Sequence, residues 1–142
     1  MCEKKLYMQW IESAKNDPEI NEELLKIQGD EVAIKDRFYR DLAFGTGGLR
    51  GVIGAGTNRM NIYTVRKATQ GIAEYLNESF DGASVAIAYD SRKNSKRFAQ
   101  TAAEVFAGNG IKVYLFDTLM PTPMLSFAAV SYTHLDVYKR QQ

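Results

Sequence analysis

The segment Phe44-Gly45-Thr46-Gly47-Gly48-Leu49-Arg50-Gly51, here called the arginine loop, is rich in groups that can hold a phosphate. Its glycines can adopt positive φ angles and let main-chain N–H groups come close to an anion. Arg50 adds a planar guanidinium whose paired N–H groups match phosphate oxygens. The loop therefore predicts phosphate binding, although a plain tight turn would show the same glycines.

Two commoner phosphate motifs do not fit these glycines. The first glycines of the loop begin a dinucleotide-binding fingerprint, but Arg50 stands at its third glycine position. Gly51 and Gly56 have Walker A spacing, but Thr57-Asn58 replace the lysine and the hydroxyl residue that would reach phosphate and magnesium. Both motifs are excluded.

Helix patterns precede the arginine loop. Apolar residues with helical spacing begin at Tyr7, and Asp17 before a proline marks the start of a second helix. Asp30 can cap a third helix that runs through Asp41. We expect these helices to form a lid or a flank to the domain.

Strand and helix patterns alternate after the arginine loop. Short apolar runs without strict alternation indicate strands that are covered on both faces. A strand, a helix and a second strand imply parallel pairing through a crossover, so the fold class is α/β. The predicted elements are a strand at 49–53, a helix at 62–77 capped by Asn61, a strand at 84–89, a helix at 96–109 capped by Ser95, a strand at 111–116 and a last helix from Pro123.

Several separated motifs, in this order, resemble one known family. They are Arg37-Phe38-Tyr39, the arginine loop, the segment from Gly54 to Asn61, Asp90-Ser91-Arg92 and Pro121-Thr122-Pro123. From about Tyr7 to Val130 the chain resembles the N-terminal domain of the α-D-phosphohexomutases, the phosphoglucomutase/phosphomannomutase family. It is most similar to the branch whose loop reads Gly-Thr-Gly-Gly-Leu-Arg-Gly.

The resemblance implies a three-layer α/β/α fold with a mainly parallel mixed sheet. It also implies that the sheet is incomplete, because the chain would be the truncated first domain of a multidomain phosphohexomutase. The expected division is an N-terminal helical segment at 1–41, a partial α/β/α domain I at 42–130, and a non-native tail at 131–142.

The resemblance places Arg50 at the floor of the active-site cleft, as a catalytic group that steadies the charge of a phosphoryl group in transit. Thr46, Gly47 and Gly48 would bind the phosphate or shape the loop around it.

Two further turns are expected to be structural supports. Asp90 and Arg92 would pair with each other or with nearby backbone, and Pro121-Thr122-Pro123 would form a stiff turn. The resemblance implies that this turn would aim the phosphoserine segment.

The resemblance implies a parent enzyme that interconverts hexose 1-phosphate and hexose 6-phosphate. It would work through a phosphoserine and a hexose 1,6-bisphosphate intermediate, with Mg²⁺. The phosphoserine motif Thr-Ala-Ser-His-Asn-Pro does not occur in this chain, and the resemblance places the metal loop outside it, so the chain alone is expected to be inactive. The expected partners are the phosphosugar substrate and the remaining domains of the parent. The loop sequence favours glucose, with mannose or pentose phosphates as alternative substrates.

The last twelve residues fit no part of the family pattern. Residues 131–142 resemble a read-through peptide of an assembled reading frame, and His134 within them is given no function. If this tail is genuine, the alternative is a non-catalytic phosphate-binding or assembly module. A reading frame that continues past Val130 into the phosphoserine motif would favour the enzyme.

Composition excludes several other classes. With 142 residues, 45% hydrophobic residues and a net charge of +1, the chain suits one globular domain and gives no electrostatic case for nucleic acid. Cys2 is the single cysteine, so an internal disulfide is impossible. The N-terminal ten residues contain no apolar run, which predicts neither a signal peptide nor a membrane span. The expected location is the cytoplasm.

Overall fold

The structure is a computed structural model that describes residues 2–131, with side chains described as far as Phe127. The chain divides into two compact units, residues 1–64 and residues 65–142. The residues of the expected tail after Ser131 lie outside the described part. No helix in the described part is both long enough and apolar enough to cross a membrane.

The first unit consists of three helices followed by a small hairpin. The helices are α1 (Glu3–Ser13), α2 (Pro18–Lys26) and α3 (Glu31–Phe38). The strands β1 (Phe44–Gly45) and β2 (Gly48–Leu49) pair antiparallel, with Phe44 opposite Leu49. The arginine loop is therefore a β-hairpin.

Side-chain caps fix where α2 and α3 begin, as the sequence predicted. Asp17 Oδ1 accepts a hydrogen bond from Ile20 N at 3.3 Å. Asp30 Oδ1 accepts from Val32 N at 3.1 Å and from Ala33 N at 3.0 Å. Each carboxylate satisfies main-chain N–H groups that have no partner inside the helix. The third helix ends at Phe38, three residues before the predicted Asp41.

The first unit has its own apolar core. Phe38 lies near its centre and meets the rings of Tyr7 and Trp10 edge to face, at centroid distances of 6.0 and 5.7 Å. Such contacts add to the stabilisation that burial gives. The buried apolar residues are Tyr7, Ala14, Ile20, Leu24, Ile34, Phe38 and Ala55. Because Ala55 belongs to this cluster, the segment after the hairpin packs on the N-terminal helices.

The predicted strand at 49–53 is wrong. Strand β2 ends at Leu49, and Ile53 makes one isolated bridge with Met60. Gly51 interrupts the run, and Gly48 and Gly54 flank it; glycine in a strand loses backbone entropy and gives no side chain to pack. Val52 and Ile53 remain 69% and 42% exposed, so burial does not compensate for that loss.

The second unit contains most of helix α4 (Ile62–Ser79), which begins three residues before the boundary, and then a β–α–β unit. Strand β3 (Ser84–Ile87) pairs parallel with β4 (Lys112–Leu115), and Ser84 lies opposite Lys112. Helix α5 (Ser95–Gly108) connects the two strands, and α6 (Thr122–Ser131) follows. The buried apolar residues of this unit's cluster are Ala73, Leu76, Ala83, Val85, Phe106 and Ile111.

The parallel pair confirms the predicted α/β class. In the described residues the sheets are small, one two-stranded and parallel and one two-stranded and antiparallel. The three-layer, mainly parallel arrangement stays an expectation from the resemblance.

The predicted cap of α5 is wrong by one residue. Asn94, in the left-handed conformation at φ 64°, stands at the cap position, and its side chain makes no capping hydrogen bond. Ser95 is instead the first helical residue, and its Oγ accepts a hydrogen bond from Asp90 N at 3.3 Å. The preceding turn uses the hydroxyl that the sequence assigned to the helix.

Candidate functional site

The arginine loop presents a two-residue turn at its tip. Thr46 and Gly47 connect β1 to β2, and both are exposed. Gly48 follows with φ +100°, a conformation that other residues rarely adopt. The structure thus brings the phosphate-binding candidates Thr46, Gly47 and Gly48 together at one exposed hairpin end.

The Arg50 guanidinium lies against the tip of this hairpin. A Cβ atom built on Gly47 would be 2.7 Å from Arg50 Nη2 and 3.4 Å from Arg50 Cζ. Any larger residue at position 47 would push the guanidinium away. Gly47 therefore allows a close approach between the charged group and the turn backbone.

Arg50 differs from Arg37, Arg59 and Arg92 in its pairing. Arg37 pairs with Glu23, Arg59 with Asp36, and Arg92 with Asp90. Within the part of the chain that the structure describes, the exposed Arg50 side chain has no carboxylate partner. Its charge is available to an anion from solution.

Both ends of the hairpin are held by the segment 54–60, here called the anchor loop. Leu42 N donates to Thr57 O at 2.8 Å, and Met60 N donates to Val52 O at 2.8 Å. Leu42 also packs on Gly51, where a Cβ would lie 2.6 Å from Leu42 Cδ1. These contacts fix the chain on either side of Arg50.

An ion pair from the N-terminal helices holds the anchor loop. Arg37 Nη1 donates to Glu23 Oε1 at 2.5 Å and to Ala55 O at 3.0 Å. Ala55 N donates to Glu23 Oε2 at 3.0 Å. Both main-chain polar groups of the fully buried Ala55 are satisfied by this pair.

Asn61 adds a second attachment. Its Oδ1 caps α4 by accepting from Tyr63 N and Thr64 N at 3.1 and 3.0 Å, as the sequence predicted. Its Nδ2 donates to Gly54 O at 2.8 Å and to Gly56 O at 3.0 Å. One buried amide therefore joins the anchor loop to the start of a helix.

The sequence did not predict the roles of Glu23, Arg37 and Asn61 around the anchor loop. Arg37 stands within a motif of the resemblance, but no sequence pattern assigns a role to Glu23. The two residues are 14 positions apart on different helices, so no local spacing rule connects them. The buried Asn61 amide was recognised for its helix cap alone.

The other predicted site residues lie in the second unit. Asp90 follows β3, and its Oδ2 accepts from Arg92 Nε at 2.7 Å while Oδ1 accepts from Arg92 N at 3.1 Å. The hydrogen bond from the Arg92 backbone is the main cause that lowers the pKa of Asp90, and hydrogen bonds from Ser95 and the Arg92 side chain add to it. An open depression of about 520 Å³ lies beside this turn, lined in part by Lys96 and Arg97.

The proline turn follows β4 in the same unit. Pro121 immediately precedes α6, Thr122 and Pro123 are its first residues, and all three are exposed. Met120 N donates to Tyr89 O at 3.0 Å, which connects this turn to the end of β3. The two turns therefore lie at the carboxyl ends of neighbouring parallel strands, where α/β proteins place functional loops.

The described residues contain no cluster of metal-ligating side chains. Among them, no three or more His, Cys, Asp or Glu side chains come close enough to hold a metal ion.

Comparison with known proteins gives the family. Residues 41–137 match the phosphoglucomutase/phosphomannomutase alpha/beta/alpha domain I. Phosphoglucomutase of Staphylococcus saprophyticus is 41% identical over 131 residues, which cover 90% of this chain and 22% of that protein. The Staphylococcus haemolyticus phosphoglucomutase is 46% identical over 91 residues, 64% of this chain and 17% of the relative. The Staphylococcus aureus USA300 phosphoglucomutase is 41% identical over 122 residues, 84% of this chain and 21% of the relative.

The chain spans about a fifth of the length of these curated relatives. No solved structure matches it. The family match covers the arginine loop, the anchor loop and the β–α–β unit. The chain belongs to the phosphoglucomutase/phosphomannomutase family, and its residues 41–137 match the α/β/α domain I of that family.

Proposed function

We propose that this chain carries the phosphate-holding loop of a phosphohexomutase that interconverts hexose 1-phosphate and hexose 6-phosphate. The observation that carries the proposal is the Arg50 guanidinium, exposed, without a carboxylate partner in the described residues, and lying against Gly47 at the hairpin tip. The relatives named phosphoglucomutase support the same reaction.

Arg50 is the catalytic residue in this proposal. During transfer, the bond between phosphorus and the serine oxygen breaks while a bond to a sugar hydroxyl forms, and negative charge spreads over the remaining phosphoryl oxygens. A fixed guanidinium stabilises that charge without having to reorganise. Thr46, Gly47 and Gly48 would place main-chain N–H groups near the same oxygens. Hexose 1,6-bisphosphate is the intermediate between the two transfers.

The remaining parts of the enzyme lie beyond this chain in the proposal. The phosphoserine motif does not occur in its 142 residues, so we expect the chain alone to be inactive. Mg²⁺, which would stabilise phosphoryl charge, would be held by residues of the parent's other domains. Asp90 with Arg92, and Pro121 to Pro123, would be structural supports of domain I.

Glucose phosphate is the proposed substrate, with mannose and pentose phosphates as alternatives. The names of the three relatives support glucose. Because the substrate is a soluble metabolite and the one cysteine is a free, exposed thiol, the cytoplasm is the proposed location.

A mutase assay tests the proposal. The parent gene, recovered by extending the source sequence past Val130, should convert glucose 1-phosphate to glucose 6-phosphate in the presence of Mg²⁺ and glucose 1,6-bisphosphate. The 142-residue chain should show no turnover under the same conditions. Mannose 1-phosphate and ribose 1-phosphate are assayed in parallel to determine which sugar phosphate the enzyme prefers. A parent that turns over none of the three would contradict the proposal and favour a non-catalytic phosphate-binding module.

A further inference from the structure

The ion pair between Glu23 and Arg37 holds the anchor loop through the backbone of Ala55. Glu23 and Arg37 are 32% and 19% exposed, and together they occupy both main-chain polar groups of the fully buried Ala55. A carboxylate that accepts one N–H and a guanidinium that donates to the adjoining C=O leave Ala55 little freedom to shift. Hydrogen bonds with charged groups are the stronger ones, so this contact resists displacement.

The glycines beside Ala55 make this contact possible. A Cβ on Gly54 would lie 2.7 Å from Glu23 Oε1, and a Cβ on Gly56 would lie 2.7 Å from the Arg37 carbonyl oxygen. The anchor loop therefore sits closer to the ion pair than any other residue at positions 54 and 56 would allow.

The anchor loop passes this constraint to the arginine loop. Its Thr57 carbonyl holds Leu42 before the hairpin, and its Met60 N–H holds Val52 after it. Arg50 lies between these two tethered points. A shift of the anchor loop would thus move both ends of the hairpin that carries the guanidinium.

We infer that Glu23 and Arg37 are positioning residues for Arg50, and that α2 and α3 serve phosphate binding through them. The inference rests on the proposed function of the arginine loop. Both residues precede the segment 41–137 that matches domain I. In this inference, residues that support phosphate binding therefore also lie in the N-terminal helices, outside the matched domain.

The test uses the 142-residue chain with Glu23→Gln, which keeps the side-chain shape and removes the charge. The matched control is Glu22→Gln on the same helix, because Glu22 is exposed and pairs with Lys26 at 2.7 Å, away from the anchor loop. Hydrogen exchange of the Leu42, Ala55 and Met60 amides measures the order of the two loops. An NMR titration with glucose 1-phosphate, well below the unfolding temperature, measures binding at residues 46–50.

Glu23→Gln should speed exchange at these three amides while the amides of α1 keep their protection. It should also weaken glucose 1-phosphate binding by about tenfold, because a hairpin that is no longer held in place presents the Arg50 guanidinium less well to the phosphate. Glu22→Gln should match wild type in both measurements. Wild-type affinity and wild-type exchange in Glu23→Gln would overturn the inference, and so would an equal loss of protection in α1 and in the loops.

Two further variants separate the possible failures. If Glu23→Gln does not fold, Arg37→Lys, which keeps the charge and loses the planar fork, is measured in the same way, and wild-type affinity there overturns the inference. If wild type does not bind glucose 1-phosphate at residues 46–50, or if Arg50→Ala binds it as tightly as wild type, the phosphate-holding role proposed for the arginine loop fails. The exchange measurements still decide whether Glu23 orders the hairpin.

Discussion

At the scale of single residues, Gly56 limits what the anchor loop can accept. Its φ of +129° is rarely adopted by other residues, and a Cβ would meet the Arg37 carbonyl oxygen at 2.7 Å. The obstacle is backbone, which cannot turn aside as a long side chain could. The conformation and the close approach therefore both require glycine.

Gly56→Ala should lower the free energy of unfolding by about 1–3 kcal/mol, the usual range for a residue forced into a strained conformation. Gly71→Ala is the matched control, because Gly71 lies inside α4 with open space around it. That change should raise stability by roughly 0.5–1 kcal/mol. Urea unfolding measures both, and equal effects of the two substitutions would refute the role given to Gly56.

Tyr7 connects α1 to the last turn of α2. Its hydroxyl donates to Leu24 O at 2.9 Å, a carbonyl near the helix end where partners within the helix run out. Burial raises the pKa of Tyr7 above its ordinary value of 10.0, because a buried phenolate is poorly solvated. The unfolded chain therefore ionises Tyr7 at a lower pH than the folded chain does.

The sign of this shift gives a pH prediction. The contribution of Tyr7 is fully present below its unfolded pKa of 10.0 and is lost as the pH rises through the higher folded pKa. Tyr7→Phe should cost about 0.5–1.5 kcal/mol at neutral pH through the lost hydrogen bond. The difference from wild type should shrink as the pH is raised above about 10. Tyr75→Phe, at a position 58% exposed, is the control for loss of a hydroxyl in the same urea unfolding series, and it should cost little at neutral pH.

At the scale of elements, the residues that act within three or four positions were predictable. Asp17, Asp30 and Asn61 each accept main-chain N–H groups two or three residues ahead, and the sequence indicated all three caps. The pairing of β3 with β4 followed from the β–α–β pattern.

Interactions across longer separations were not predictable. The strand expected at 49–53 needed a neighbour that sequence spacing cannot reveal, and the pair of Glu23 with Arg37 joins two helices without any periodic pattern. The prediction that Ser95 caps α5 was also wrong, because Ser95 Oγ accepts a hydrogen bond from the Asp90 backbone N–H instead. For the candidate site, the residue types of the arginine loop were enough to predict phosphate binding there, and that assignment stays a prediction. The contacts that hold the loop could not be predicted.

The cap of α3 allows a direct test of the element-scale reasoning. Asp30→Ala should lower the free energy of unfolding by about 1 kcal/mol, because two N–H groups lose their acceptor. Asp30→Asn keeps an oxygen at the same position and should cost clearly less. Urea unfolding measures the free energy of unfolding of both variants. An equal loss in the two would mean that the capping hydrogen bonds do not stabilise α3.

At the scale of the whole molecule, the α/β class and the family were both predicted correctly. The class followed from alternating strand and helix patterns, and the family from the order of five motifs. The boundary at residue 130 stays a prediction, and it differs from the end of the family match at residue 137.

Deletion of residues 131–142 tests this boundary. If the segment is not part of the domain, the free energy of unfolding should change by well under the roughly 2–5 kcal/mol that a large core truncation costs. A matched deletion of residues 1–12, which removes the buried Tyr7, should destabilise the first unit strongly. A loss of stability on the core scale from the C-terminal deletion would make the segment a native element.

The proposed mutase activity depends on Arg50 holding the transferring phosphoryl group. The most direct measurement is kcat for glucose 1-phosphate in the full-length parent carrying Arg50→Ala, with saturating bisphosphate and with thermal unfolding of each variant. Turnover should fall by roughly a hundred- to a thousandfold with an unchanged unfolding midpoint, the usual cost of removing one charge-stabilising donor. Arg50→Lys should restore it only in part, and Lys35→Ala, an exposed cation on α3, should leave it unchanged. Wild-type turnover in Arg50→Ala would contradict the account, and lost turnover together with unfolding would make Arg50 a structural residue.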